Sequence, residues 1–386
     1  MYNDDMKKIF TIITFCVVLA MNSFAMAAEE PKILADSAIL VEATTGRIIW
    51  EKNADFRREP ASMTKMLTCV LALEKLKSSE EVNMSQAAVL TEDNTLNWSS
   101  LDSISARDMI TAVMLVSENG GALALAQAIA GNELEFAEMM NDKAKLIGCK
   151  DSHFANPNGL PNPNHYSTAA DMARIAVYCM KNPDFREIVN TRRTSIHWIY
   201  PKEKWSELNN TNELLGKYKG ANGIKTGWTN AAGGCLAASA KRGEIELIAI
   251  VMHSPDQDTR FDDAANLLNY GFERVRMVNG INKERLEKRV FVSGGKKPTL
   301  RVAPKENLDF PLMAGEDSKL LKVTYDLPKI VDVGKGIDKG QVLGEAVLRY
   351  DGKPVARVPL VARSHVDAGF SLGSLLVRII EPFLSK

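Results

Sequence analysis

The chain has 386 residues, 45% hydrophobic and 25% charged, and its 48 lysines and arginines balance 48 aspartates and glutamates. That length holds a full-sized core and a second domain, and the composition is that of an ordinary globular protein. With no basic excess, nothing points to nucleic acid as a partner, and the sequence shows no internal repeat or low-complexity tract.

The chain opens on a segment that reads as a leader. Lys7 and Lys8 precede an apolar run from Ile9 to Ala20, and small residues follow as far as Ala25-Met26-Ala27. This is the layout of a secretory signal peptide with an A-x-A cleavage site, so residues 1–27 are set apart from the fold and export is expected. The run is short for an uncleaved membrane span. Beyond it lie Cys69, Cys149, Cys179 and Cys235, with no C-x-x-C pair. Cys69, Cys179 and Cys235 fall in apolar patterns that suit buried thiols, and the spacing leaves their pairing open.

Next, "SAILVEATTGRIIWEKN" reads as a hairpin, two β-rich runs around Thr44-Thr45-Gly46. Pro60 then introduces "ASMTKMLTCVLALEKL", where Met63, Met66, Leu67, Val70, Leu71 and Leu73 recur at helical spacing and predict a core helix. Ser62 stands at the start of this helix and suits an N-cap. Lys65 lies three residues on, on the same face one turn later. Taken alone, the stretch fits either a capping serine with a solvated lysine or a nucleophile with its base.

From Ala106 to Leu146 the pattern is largely helical, closing on Gly148. A loop rich in Asn and Pro, "ANPNGLPNPNHYSTAAD", leads to another helix, with Thr168 and Asp171 spaced as a capping box. From Gly223 the period becomes extended: a strand, a Gly-rich turn, a strand, the Lys241-Arg242-Gly243 turn and a third strand, then a helix from about Arg260 to Phe272. Hairpin, helices, meander and helix in that order predict an α+β fold on an antiparallel sheet.

Composition shifts near Asn282. From Arg289 to Ala362 only short β runs such as "KRVFVS", "KLLKVTYDL", "QVLGEAVLRY" and "ARVPLVA" occur, predicting a small all-β domain over 282–368 behind a catalytic domain over 28–281. In the last segment, 369–386, Leu372, Leu375, Leu376, Ile379, Ile380 and Phe383 share one helical face, while Ser374, Arg378 and Glu381 share the other. It is too short and too charged to span a bilayer, but it suits a membrane surface.

One S-x-x-K match is weak, since about one is expected by chance in a chain this long; Ser293-Gly-Gly-Lys296 is such a decoy in a turn. Ser62-Met63-Thr64-Lys65 has better company. Ser117-Glu118-Asn119 follows the helix "MITAVMLV", and Lys225-Thr226-Gly227 lies on the first strand of the meander. The trio has the order and the element types of penicillin-interacting serine enzymes. With "LVSENGGALALAQAIAG", "FAEMMNDKAKLIG", "HFANPNGL", "STAADMARIA" and "GIKTGWT", nearly the whole mature chain resembles the serine D-alanyl-D-alanine carboxypeptidases, the low-molecular-weight penicillin-binding proteins.

The resemblance implies a β-lactamase/transpeptidase-like catalytic domain and acyl transfer to water. A serine hydroxyl needs a base, and a lysine serves only if desolvated or set near another cation. Ser62 is then the nucleophile, Lys65 its base, and Lys225 the cation. Ser117 relays the proton to the leaving amine, and Asn119 fixes Lys65 and the substrate amide. Backbone N–H groups of Ser62 and Trp228 form the oxyanion hole, while Lys225, Thr226, Gly227 and Arg260 bind the terminal carboxylate. For Arg260 a solvated helix-end charge is the other reading. The implied partners are peptidoglycan stem peptides and, covalently, β-lactams. Nothing in the sequence speaks to oligomeric state.

Two departures stand out. Gly120-Gly121 follow the second motif where the family often has an acidic or small residue, which predicts a looser Asn119, and Trp228 is bulky beside the oxyanion position. No cofactor or metal is implied, as the five histidines form no H-E-x-x-H pair. Trp198, Tyr200 and Trp205 read as packing residues rather than a groove. No E-x-x-L-N segment supplies the deacylating glutamate of class A β-lactamases, so a β-lactamase is the weaker enzyme reading. Endopeptidase or transpeptidase activity shares the same acyl-enzyme. A non-catalytic wall-binding protein would be expected to have lost Ser62, Lys65 or Lys225.

Overall fold

The computed structural model describes residues 30–334 and 336–377. Residues 1–29, which include the predicted leader, and the last nine residues, with Ile379, Ile380 and Phe383 of the predicted apolar face, lie outside the described residues.

The hairpin forms as predicted: β1 (Ser37–Glu42) pairs with β2 (Ile48–Lys52). A 3-10 turn over Ala61–Thr64 leads into α1 (Lys65–Lys75). There follow β3 (Glu81–Asn83), α2 (Gln86–Val89), β4 (Ser103–Ser105), α3 (Ala106–Leu115), α4 (Asn119–Ala130), α5 (Glu133–Ile147), α6 (Ala169–Cys179) and α7 (Pro183–Asn190). The strands β5 (Arg193–Tyr200) and β6 (Trp205–Asn209) come next, then β7 (Ala221–Thr229), β8 (Gly233–Arg242), β9 (Ile245–Ser254) and α8 (Thr259–Arg274).

The meander joins the hairpin in one antiparallel sheet of order β2-β1-β9-β8-β7. Both faces are covered, and the period-2 alternation of β9 shows how. Ile248, Ile250 and Met252 enter the core shared with α1 and α3–α6, while Leu247, Ala249 and Val251 meet Ala264, Leu267 and Leu268 of α8. Burying each large aliphatic side chain in these two layers contributes about 1.5–3 kcal/mol. A second sheet, order β3-β4-β5-β6, was not foreseen as a unit. Its strands pair across about ninety residues of chain, which local periodicity does not report.

Behind β10 (Val275–Ile281) the chain is built of strands as far as Ala362, apart from a 3-10 turn at Ser318–Leu320: β11 (Lys288–Ser293), β12 (Thr299–Pro304), β13 (Leu308–Met313), β14 (Leu321–Asp326), β15 (Ile330–Asp332), β16 (Val342–Tyr350) and β17 (Lys353–Ala362). Six of these strands form a sheet of order β14-β16-β17-β12-β11-β15. β10, which the sequence reading assigns to the catalytic domain, pairs instead with β13. Arg47, in the β1–β2 turn, reaches across to Glu316 and the carbonyl of Pro311 and stacks on the Phe310 ring at 4.9 Å.

Helix starts divide into two groups. Ser105, Asn132 and Thr168 cap α3, α5 and α6 through their side chains. At Thr168 only half the capping box forms, because the Asp171 carboxylate is taken by the backbone of Lys150 and Asp151 and by Arg174. By contrast α1 and α4, the helices carrying the first two motifs, start with no side-chain cap. Ser62 is therefore not an N-cap. It stands inside the 3-10 turn, and Lys65 is the first residue of the α-helix.

Candidate active site

The uncapped starts of α1 and α4 meet β7 at a cleft of about 960 Å³ lined by Ser62, Ser117, Asn119, Thr226, Gly227, Trp228 and Arg260, among others. Three features of sequence bring the motifs together. Ala61, ahead of the nucleophile, has φ +47°, a left-handed conformation that non-glycine residues rarely adopt. Ser117, between α3 and α4, has φ +64° and turns the chain so that its side chain lines the cleft. Gly227 permits close approach: a Cβ there would lie 3.1 Å from the Ser62 amide nitrogen and 3.1 Å from Ala61 Cβ.

Lys65 is fully buried, and its Nζ is 2.6 Å from Ser62 Oγ, 2.6 Å from Asn119 Oδ1 and 2.8 Å from the Asn158 carbonyl oxygen. A neutral amine has two N–H donors and one lone pair. Two carbonyl acceptors take the donors, and the lone pair is left for the serine hydroxyl. Burial brings the Lys65 pKa down to about 7, against the charges of Cys69, Glu118 and Asp93. Asn119 donates from Nδ2 to the Glu92 carbonyl at 3.0 Å, which fixes Oδ1 toward Lys65.

Lys225 is also buried and donates to the Thr226 carbonyl at 3.0 Å. Its pKa falls well below the ordinary lysine value, through burial first and the Lys65 charge second. The cation expected to depress Lys65 is thus itself depressed by Lys65. Burial of Lys65 does that work. Thr226 Oγ1 is 2.7 Å from Thr211 Oγ1, which also lines the cleft. Arg260 is buried and donates to the Gly227 carbonyl at 2.7 Å, so it is no solvated helix-end charge but a brace on the third motif. Trp228 is 37% exposed at the rim.

The two glycines after the second motif do not loosen Asn119. A Cβ on Gly120 would come within 2.3 Å of the Ala88 carbonyl oxygen, so the glycine lets α4 press against α2. Asn119 is 5% exposed and bonded on both sides. Of the three aromatics assigned to packing, Trp198 is buried against Trp98 at 4.6 Å, but Tyr200 and Trp205 are 57% and 61% exposed.

Sequence reasoning gave no role to the loop that contributes Asn158. His165 ties that loop to the residue before Lys65: its Nδ1 accepts from the Ala155 amide at 3.1 Å, so Nε2 donates to Thr64 Oγ1 at 2.8 Å. Thr68 adds a bond to the Pro157 carbonyl at 2.6 Å. The available signal was length, since long irregular loops in compact domains are usually functional. Among the described residues no group of His, Cys, Asp and Glu could hold a metal ion.

A serine beside a buried, neutralisable lysine, on a helix start facing a strand with a lysine of its own, defines a serine acyl-transfer enzyme. The D-alanyl-D-alanine carboxypeptidase family profile matches residues 24–256, and that of the penicillin-binding protein 5 C-terminal domain matches 280–368. The chain belongs to the D-alanyl-D-alanine carboxypeptidase family of serine peptidases. It is 31% identical to D-alanyl-D-alanine carboxypeptidase DacF of Bacillus subtilis, covering 95% of this chain and 96% of the relative. Among solved structures, penicillin-binding protein 5 of Haemophilus influenzae aligns with a TM-score of 0.69 at 28% identity, covering 88% of this chain and 99% of that one. The Streptomyces K15 DD-transpeptidase aligns at 0.60 and 30%, covering 64% of this chain and 99% of its own.

Proposed function

We propose that this enzyme removes the terminal D-alanine from peptidoglycan stem pentapeptides through an acyl-enzyme on Ser62, and that β-lactams acylate the same serine. The observation that carries this reading is the 2.6 Å approach of the buried Lys65 amine to Ser62 Oγ. Ser62 Oγ attacks the penultimate D-Ala carbonyl, and its proton passes to the Lys65 lone pair. Backbone N–H groups of Ser62 and Trp228 receive the oxyanion. Ser117 relays the proton to the leaving amine, D-Ala departs, and water hydrolyses the ester.

Lys225, Thr226, Gly227 and Arg260 hold the terminal carboxylate. That anion restores the charge of Lys225, whose free amine is otherwise favoured by burial. The substrate therefore completes the electrostatics of its own site.

The C-terminal segment supports a seat at the membrane surface. Phe370, Leu372, Leu375 and Leu376 are exposed while Ser374 and Val377 are buried, an apolar stripe facing outward. The leader supports action outside the cytoplasm. Deleting residues after Ala368 should release the mature protein from membranes, and undiminished association would refute the anchor.

The deciding measurement is intact-protein mass after incubation with a penicillin, for the mature wild type and Ser62→Ala, followed by D-alanine release from a pentapeptide. A stable adduct on wild type alone, with D-alanine released, is the expected result. Hydrolysed antibiotic without an adduct would favour a β-lactamase instead.

A further inference from the structure

The middle residue of the second motif has no part in the reaction as written, yet it is the most thoroughly buried carboxylate beside the cleft. Glu118 is 0% exposed, between cleft-lining Ser117 and Asn119. Its Oε2 accepts a 2.6 Å hydrogen bond from Thr95 Oγ1, and Oε1 has no hydrogen-bond partner among the described residues. Burial raises the Glu118 pKa against the opposing pull of the Thr95 hydroxyl, the Lys65 charge and the Thr95 and Leu96 amides, and a buried carboxylate with one oxygen unbonded remains costly, so its retention at this point asks for a compensating charge.

Thr95 belongs to the irregular segment 91–102, which gives the cleft Glu92, Asp93 and Thr95. Two bonds moor that wall to the start of α4: Thr95 Oγ1 to Glu118 Oε2, and Asn119 Nδ2 to the Glu92 carbonyl. Around the Lys65 amine the titratable groups are Cys69 on α1, Lys225 on β7, Asp93 on the wall and Glu118 on α4. Burial pushes the Cys69 thiol up to about 12, so it stays neutral. Asp93 is exposed and therefore screened. Glu118 alone of these is a carboxylate shielded from water.

We propose that Glu118 is a positioning residue with two tasks: it moors the 91–102 wall through Thr95, and its buried carboxylate is the counter-charge for the Lys65 ammonium formed as Ser62 gives up its proton. This rests on the acyl-transfer reading above. As the Ser62 O–H bond breaks, the Oγ–carbonyl bond forms, the carbonyl electron pair moves to its oxygen and the proton sits on Lys65. Positive charge then appears in a pocket that already holds Lys225, and Glu118 offsets it. Conversely the Lys65 charge opposes the rise that burial imposes on the Glu118 pKa.

The test is the pH profile of penicillin acylation, with the full mature chain, for wild type, Glu118→Gln, Glu118→Ala, Glu118→Asp and Thr95→Val. Removing the negative charge lowers the Lys65 pKa. The acidic limb should therefore move to lower pH, by about one unit in Glu118→Gln and Glu118→Ala, while the plateau rate falls about tenfold or more. Glu118→Asp and Thr95→Val keep the charge and should leave the limb in place while raising KM for the peptide. A role in packing alone would lower rates without moving the limb. If either neutral variant folds and its limb superimposes on that of wild type, the proposal is overturned. If wild type itself forms no acyl-enzyme, the acyl-transfer reading fails and takes the proposal with it.

Discussion

The backbone carbonyl of Asn158 accepts a 2.8 Å hydrogen bond from Lys65 Nζ, ninety-three residues away in sequence. A loop without regular structure thus supplies one of the two carbonyls that aim the Lys65 lone pair at Ser62. The contact depends on Gly159, which has φ +85° and whose hypothetical Cβ would fall 2.0 Å from the Ala61 carbonyl oxygen. Gly159→Ala should displace the loop, destabilise the fold by ~1–3 kcal/mol and slow acylation more than tenfold. Thermal unfolding together with a penicillin acylation assay measures both. A variant with wild-type acylation would remove the loop from the account.

Because burial sets the Lys65 pKa at about 7, the acylation rate should fall tenfold per pH unit below pH 7, as the amine is protonated, and level off above it. Lys65→Met, which keeps most of the volume without the base, should lose on the order of 10²–10⁴ in acylation rate. A profile flat down to pH 5 would refute the general-base role.

His165 gives a separate, structural pH dependence. Burial pulls its pKa down to about 4, below the ordinary value of ~6.5 in the unfolded chain. The neutral ring's contribution is fully present above pH 6.5. It is lost as pH falls through 4, since the unfolded chain takes up the proton first, for a total of ~3 kcal/mol. Denaturant titrations between pH 4 and 7 should show this slope in wild type and a shallower one in His165→Gln. Equal slopes would assign the acid sensitivity elsewhere.

Gly227→Ala tests the approach of β7 to the nucleophile. Its Cβ would press on the Ser62 amide nitrogen at 3.1 Å, tighter than packed atoms normally sit. The strand and the 3-10 turn should part by a few tenths of an ångström, leaving stability within ~1 kcal/mol while acylation falls roughly tenfold or more, as for one weakened oxyanion donor. An unchanged acylation rate would show that the spacing is not critical.

The sequence carried the motif trio, the hairpin, the meander and α8 because each is written in local periodicity and in residue types with few other uses. It left open what depends on partners. Taken alone, Ser62 fitted a cap as well as a nucleophile, and its oxygen is engaged by Lys65 rather than by a backbone amide of α1. For Arg260 carboxylate binding stood beside a solvated helix-end charge, and only the fold buries it against the Gly227 carbonyl. β10 looked like the end of the first domain, although its hydrogen-bond partner lies thirty residues ahead.

What the sequence determined by itself is which chemical groups exist: two hydroxyls, two lysines and an amide in the right order on the right elements. Only the tertiary structure decided their states. A lysine becomes a base near pH 7 when every neighbour excludes water, and that exclusion is assembled here from α1, α4, β7 and the 154–165 loop together. Desolvation belongs to no single residue, and the Asn158 carbonyl is a backbone atom that any side chain could have carried.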